Sequence, residues 1–451
     1  MKFRKCLVAV AAMMTLFVTT PARAETLADA LTYAYNHSGL LDQNRALLRA
    51  ADEDVAQAVA ATRPVISWAA NASISSPRAP LADLIAATAR ISGQLTIYDS
   101  GAGQLDVEAQ KELVLGTRQA LRGIEQGILL DAVSAYMQVR ADTEFVALRQ
   151  SNVRVIMQEF RAAQDRFDVG EVTRTDVALA EARLAAARSL LASAQGSLTR
   201  SGETYRNAIG RSPNGLQPAQ PAPVSKTIAD AKAYAVRNHP SILEVQHSVS
   251  AAELNIRRGE AALKPTVTLD GQLGIDQDGI IGGQVGVNAR GPITGGALSS
   301  QVRQLMARRD AARAQLHIVR HSLEQQVGSA YSFVDVARAS SLAINQQIRA
   351  ARVAFRGVRD EATLGARTTI DVLNAEQELL NAQADLIAAQ SDEVIASYQV
   401  LSTMGLLTAA HLRLPVQQYD PAAYYNLVKD APTIKSDQGQ ALDRVLRAIG
   451  Q

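Results

Sequence analysis

The chain repeats itself, and an internal duplication narrows the possible folds more than any single motif does. Residues 166–210 align without a gap on residues 361–405, with twelve of forty-five positions identical. The matches include Gly170 with Gly365, Thr173 with Thr368, Asp176 with Asp371, Val177 with Val372 and Glu181 with Glu376. A second pair of segments recurs in the same order. Leu27-Ala-Asp-Ala followed by Asn36-His37 matches Ile228-Ala-Asp-Ala followed by Asn238-His239, and Arg63-Pro64 matches Lys264-Pro265. The expected organisation is a first repeat over residues 25–211, a linker over 212–226, a second repeat over 227–406 and a tail over 407–451. Pro213, Pro218, Pro221 and Pro223 exclude a continuous helix through the linker.

Within each half the periodicity changes in one order. Residues 27 to 61 read as a helix that ends ahead of Pro64. Alternation comes next, with Ile66, Trp68, Ala70, Ala72 and Ile74 against Ser67, Asn71, Ser73 and Ser75. A second strand sets Ile91, Gly93, Leu95 and Ile97 against Ser92, Gln94, Thr96 and Tyr98. The second half repeats the pair, with Val267, Leu269, Leu273 and Ile275 against Thr266, Thr268, Asp270 and Gln272. Its last strand sets Val285, Val287 and Ala289 against Gln284, Asn288 and Arg290. Each strand is about ten residues long, enough for a tilted strand to cross a bilayer with apolar side chains outward. A half-solvated sheet in a soluble protein gives the same alternation. In the membrane reading four strands cannot close, so a dimer of eight or a trimer of twelve is required.

After each strand pair a proline-free stretch, about 101–165 and about 296–360, predicts a helix of roughly 100 Å at 1.5 Å per residue. Leu121, Ile124, Ile128, Ala132, Ala135, Val139, Val146, Val153, Ile156, Phe160 and Ala163 form a coiled-coil seam along the first, interrupted by Asp142 and Arg149. The helices over 27–61 and about 175–210 are each near half that length, so end to end they match one long helix. Aromatic residues make up only 4% of the chain, which suits narrow alanine-rich helical packing better than compact globular cores.

The start of the chain reads as a secretory signal over residues 1–24. Lys2, Arg4 and Lys5 precede an apolar run, and Ala22-Arg23-Ala24 sets cleavage between Ala24 and Glu25. Without it, 46 basic residues become 42 against 44 acidic ones, a net charge of about −2 that gives no support to nucleic-acid binding. The only cysteine, Cys6, lies in that leader, so the exported part carries no disulfide, thiol chemistry or acylation site.

The order of elements and the turn sequences resemble the TolC family of outer-membrane channel proteins over essentially the whole mature chain. Arg166-Phe-Asp-Val-Gly170 with Thr173 and Asp176-Val177 carries the likeness, with its repeat Leu364-Gly365-Ala-Arg367-Thr368 and Asp371-Val-Leu373. Tyr98-Asp99-Ser-Gly101 and Pro292-Ile-Thr-Gly295-Gly296 resemble the family's strand-to-helix junctions. The tail, through Leu414-Pro415-Val416, Tyr419-Asp420-Pro421 and Val428-Lys429-Asp430, resembles the branch serving type I protein secretion. The resemblance implies a mainly α protomer with a membrane β-barrel contribution. It further implies a homotrimer with a twelve-stranded barrel in outer-membrane lipid and a twelve-helix periplasmic tunnel. Implied partners are a periplasmic adaptor and an inner-membrane ABC transporter, or alternatively a resistance-nodulation-division (RND) pump for drug efflux. By the same resemblance Val169, Gly170, Val172, Leu364 and Gly365 face the adaptor. An Asp176 to Arg367 link and an acidic ring at Asp371 close the periplasmic end. Helix capping accounts equally for both aspartates. Asn374 and Ala362 depart from the family pattern, in which a second ring carboxylate and a tyrosine strengthen closure.

Other signals point nowhere specific. His317 and His321 stand four apart but no further ligand or zinc-protease glutamate accompanies them, so no metal is expected. The glycines from Gly279 to Gly286 match no nucleotide-loop spacing and read as the outer turn of the second strand pair. Trp68 fits an interfacial belt or ordinary packing equally. No catalytic constellation and no cofactor motif is present, so an enzyme is not expected. The competing class is a soluble periplasmic coiled-coil scaffold, for which the helices alone suffice.

Overall fold

The computed structural model describes residues 24–74, 85–224, 227–433 and 435–449. The expected leader up to residue 23 and Ser75 of the first expected strand lie outside the described residues. In chain order the elements are α1 (Leu27–His37), α2 (Gly39–Ala61), β1 (Val65–Ile74), β2 (Ile85–Tyr98), α3 (Ala102–Asp168), α4 (Arg174–Ile209), α5 (Ile228–Asn238), α6 (Pro240–Ala261), β3 (Thr266–Asp276), β4 (Ile281–Arg290), α7 (Gly296–Thr363), α8 (Thr369–Thr403), α9 (Ala423–Val428) and α10 (Asp437–Ile449). The duplication is plain in this order.

Residues 27 to 61, expected as one helix, form two. Ser38 adopts an extended backbone and its hydroxyl accepts from the Leu41 N–H at 3.3 Å, which starts α2 afresh. The second half breaks at the matching place by different chemistry. Pro240 occupies the first turn of α6, where no N–H is needed, and disfavours helical backbone at His239. His239 Nδ1 accepts from the Ser241 N–H at 3.2 Å.

The long helices α3 and α7 run 67 and 68 residues, close to the expected bounds. At 1.5 Å per residue each extends roughly 100 Å. α3 packs against α1, α2, α4, α6 and α8, so it joins the two halves, whereas α7 packs against α5, α6 and α8. The seam expected on α3 is buried at Ile128, Ala132, Ala135, Val139, Ile156 and Ala163. Asp142, within that seam, is buried too and accepts from Gln138 Nε2 at 3.2 Å. α4 ends at Gly210 and α8 just before Gly405, with φ of 95° and 77°. Both are left-handed positions that glycine occupies without a Cβ penalty.

Leu129, Val133, Tyr136, Tyr205 and Ile209 form the main core, and Leu407 and Leu414 of the tail fold back into it. The tail then climbs along α2. The Ala409 N–H donates to Glu125 Oε1 at 2.7 Å, and Tyr419 stacks on Arg45 at 5.3 Å. Tyr424 donates to Glu53 Oε1 at 2.6 Å, and Val428 packs on Ala56.

Candidate functional site

Two places could do work: the strand layer at one end of the helices and the paired turns at the other. β1 to β4 form one antiparallel sheet in sequence order, which leaves the outer edges of β1 and β4 unpaired. Its register places Trp68 opposite Ile91, Ile91 opposite Leu273 and Leu273 opposite Gly283. Antiparallel partners share a face. One face is therefore apolar across all four strands, with Ile66, Trp68, Ala70, Leu95, Leu269, Ile275, Val285 and Val287 on it. Trp68 is 80% exposed and Val285 79%, so among the described residues nothing covers them on this face.

The opposite face is polar and internally bonded. The Ser67 and Ser92 hydroxyls lie 2.9 Å apart, and Gln272 Nε2 donates to Gln284 Oε1 at 3.2 Å. Asp270 Oδ2 accepts from Thr268 Oγ1 at 2.9 Å and from Asn288 Nδ2 at 2.6 Å. An apolar wall on one side and hydrogen-bonding groups on the other is what a barrel strand presents to lipid and to water.

Two assignments from periodicity change. Alternation puts Tyr98 on the polar face, but a register shift between Thr96 and Tyr98 sets Tyr98 opposite Val267, which belongs to the apolar face. One extra residue in a strand reverses the facing of every residue after it. Tyr98 thus lies at the helix-proximal end of the apolar face, where an aromatic girdle would lie, whereas Trp68, level with Ile91, Leu273 and Gly283, sits away from that end. The second change concerns the glycines. Only Gly279, with φ of 75°, forms the β3–β4 turn; Gly282, Gly283 and Gly286 are strand residues of β4.

Asp99 links sheet to helix in the first half. Its Oδ1 accepts from the Gly101 N–H at 2.9 Å and its Oδ2 from the Gly103 N–H at 2.6 Å, holding the start of α3.

At the far end the two turns are built alike. Gly170 and Gly365 have φ of 80° and 77°, the conformation that closes each helix. Val169 and Leu364 beside them are exposed, and Val172 is half-buried. Asp176 and Asp371 each complete a capping box. Thr173 Oγ1 donates to Asp176 Oδ2 at 2.7 Å and Thr368 Oγ1 to Asp371 Oδ2 at 2.7 Å. Hydrogen bonds from Thr173 and Thr368 hold both carboxyls below the usual aspartate range. Among the described residues no ion pair joins Asp176 to Arg367. Arg367 Nε instead donates to Glu361 Oε2 at 2.8 Å, which with the Glu361 charge raises its pKa.

Contacts between the halves near this end were not legible from sequence. Buried Asn152 donates to Glu376 Oε1 at 2.5 Å, and burial pushes the Glu376 carboxyl up. Arg183 reaches Asn374 Oδ1 at 3.2 Å, giving a partner to the residue that departs from the family pattern. Arg359 approaches Glu159 Oε1 at 3.5 Å. The only hint was the Glu181/Glu376 identity across the repeat.

Glu25, the expected first mature residue, is almost fully buried. Its Oε1 accepts from Tyr205 at 2.6 Å and Arg211 Nη2 at 2.5 Å, and its N–H donates to the Gly215 carbonyl at 3.1 Å. The linker is thereby fastened to the start of α1. His317 and His321 both lie on α7, and among the described residues no three His, Cys, Asp or Glu side chains converge as metal ligands. No helix among the described residues is long and apolar enough to cross a membrane.

Comparison with known proteins agrees with this geometry. The family model described as outer membrane efflux protein matches residues 32–211 and 234–406, the two repeats. Outer membrane efflux protein BepC of Brucella suis is 38% identical over 442 residues, covering 95% of this chain and 96% of that one. Outer membrane protein TolC of Escherichia coli is 24% identical over 345 residues, 70% of this chain and 67% of that one. Among solved structures, the outer membrane protein VceC from Vibrio cholerae superposes with a TM-score of 0.72 at 20% identity. That match covers 84% of this chain and 96% of that one and concerns the fold.

Proposed function

The chain belongs to the outer membrane efflux protein family, and we propose on that premise that three copies close a continuous export duct across the outer membrane and periplasm. The protein is an outer-membrane transport protein that reaches into the periplasm, and it is not an enzyme. The sheet carries the trimer proposal: its apolar face runs unbroken over four strands while both edges stay unpaired. Unpaired backbone groups in lipid cost several kcal/mol each, so the edges must meet other copies. Three copies give twelve strands, and the exposed Phe333, Val336, Leu342 and Val353 of α7 supply apolar surface for the neighbour.

We assign the duct to type I protein secretion, with an inner-membrane ABC transporter and a periplasmic adaptor as partners. The tail supports this assignment through Leu414, Tyr419 and Val428, which in this chain pack the tail onto the helices. Val169, Gly170, Val172, Leu364 and Gly365 form the adaptor-facing tip. Asp176, Arg367 and Asp371 form the gate, with Arg367 exchanging Glu361 for Asp176 when copies assemble. The second reading is drug efflux with an RND pump, favoured by the name of the Brucella relative. Deleting the gene separates the two. Type I secretion predicts that a protein disappears from the culture medium and returns on complementation. Unchanged secretion with raised sensitivity to dyes and detergents would assign the duct to efflux.

A further inference from the structure

The tail does not stop at the helices. Its contacts climb α2 in order, from Arg45 with Tyr419, through Glu53 with Tyr424, to Arg63, whose Nη1 donates to the Ala431 carbonyl at 3.4 Å. Arg63 stands two residues before β1 begins, so the tail arrives at the base of the strand layer. α10 comes next, in the same place. Its Leu442 packs with Ala56, Tyr424 and Val428, and Ala56 lies only about 8 Å below the end of α2 at 1.5 Å per residue.

α10 is strongly two-sided. Leu442, Val445 and Leu446 fall on one side at helical spacing, while Arg444 and Arg447 fall on the other. Val445 and Leu446 are each 38% exposed, so the protomer leaves that apolar side partly uncovered. Over residues 435–449, Lys435, Arg444 and Arg447 outnumber Asp437 and Asp443, giving a net charge of +1.

We propose that α10 is an interfacial helix that lays Val445 and Leu446 into the periplasmic leaflet of the outer membrane. Its arginines then sit at the lipid phosphates. The apolar face of the sheet, with Tyr98 opposite Val267 at its helix-proximal end, continues into this belt. An amphipathic helix beside such a face extends the lipid contact from the barrel to its collar.

The inference rests on the sheet being membrane-embedded. The test uses the full mature chain in phosphatidylethanolamine/phosphatidylglycerol vesicles. An environment-sensitive fluorophore is placed in turn at Val445→Cys, Leu446→Cys and Arg444→Cys. Nitroxide-bearing lipid should quench the labels at 445 and 446 at least about twofold more than the label at 444. Equal quenching of all three by aqueous iodide would mean a solvated helix and overturn the proposal. Labels at 445 and 446 shielded from both quenchers would mean that another copy covers the face, and would overturn it as well. Pore conductance in the same vesicles reads the duct separately: pores without lipid quenching reject α10 anchoring alone, and quenching without pores rejects the duct alone.

Discussion

Asp52 on α2 is fully buried, and neither of its carboxylate oxygens has a hydrogen-bond partner. Arg118 approaches no nearer than 3.9 Å and is itself stacked on Tyr425 of the tail. Burial raises the Asp52 pKa from 3.8 to about 6; Arg118 opposes the rise and Glu53 adds to it. The shift corresponds to about 3 kcal/mol against the ionised form, at 1.36 kcal/mol per pKa unit. Because the docked state binds the proton more tightly than the rehydrated one, stability falls as pH rises from about 4 to about 6. Above that the full cost persists. Tyr419 and Tyr425 pack on the adjoining Leu48–Val55–Val114 cluster and Tyr425 lies on Arg118, which ties the cost to docking of the tail. Asp52→Asn removes the charge. At pH 7.5 it should slow hydrogen exchange of the amides between Tyr419 and Ala431 by roughly 100-fold, the equivalent of about 3 kcal/mol. At pH 4.5 the difference should shrink to roughly sixfold, after correction for intrinsic exchange rates. Equal protection of the two proteins at pH 7.5, or a difference that persists undiminished at pH 4.5, would refute the linkage.

Gly170→Ala and Gly365→Ala should each cost about 1–2 kcal/mol, from the left-handed backbone alone, since an added Cβ meets nothing within 4 Å. Faster proteolytic nicking of the altered turn is the readout, and unchanged nicking would speak against a strained turn. Tyr205→Phe removes a 2.6 Å hydrogen bond to the buried Glu25 carboxylate and should cost about 1.5–3 kcal/mol, seen as a lower unfolding temperature. An unchanged unfolding temperature would mean that Arg211 alone satisfies Glu25. Arg367→Ala should raise single-channel conductance if Arg367 closes the periplasmic end. Unchanged conductance would leave it only its bond to Glu361.

Local periodicity carried most of the architecture. Both long helices, all four strands and the Gly170 and Gly365 turns stand where residue spacing puts them, because helix and strand patterns repeat within a few residues. What stayed hidden depends on partners far apart in sequence or on one-residue irregularities. The break at Ser38 carries no proline, unlike its counterpart at Pro240. The bulge that turns Tyr98 toward the apolar face is a register event set by β3, invisible in the alternation of β2. Asn152 and Glu376 are 224 residues apart, and Asp52 is buried beside an arginine, Arg118, that another helix supplies. At the tip, capping was one of two open readings for Asp176 and Asp371, and the capping boxes are present in the protomer. Among the described residues Arg367 pairs with Glu361, and its link to Asp176 belongs to the proposal for the assembled protein.

Whether three protomers close one duct is tested most directly by single-channel conductance of the detergent-purified protein, with its oligomeric mass measured on the same sample. Discrete pores from a species three times the mature mass are the predicted result. A monomer or dimer that stays in solution without detergent and forms no pores would contradict it and return the chain to the class of periplasmic coiled-coil scaffolds.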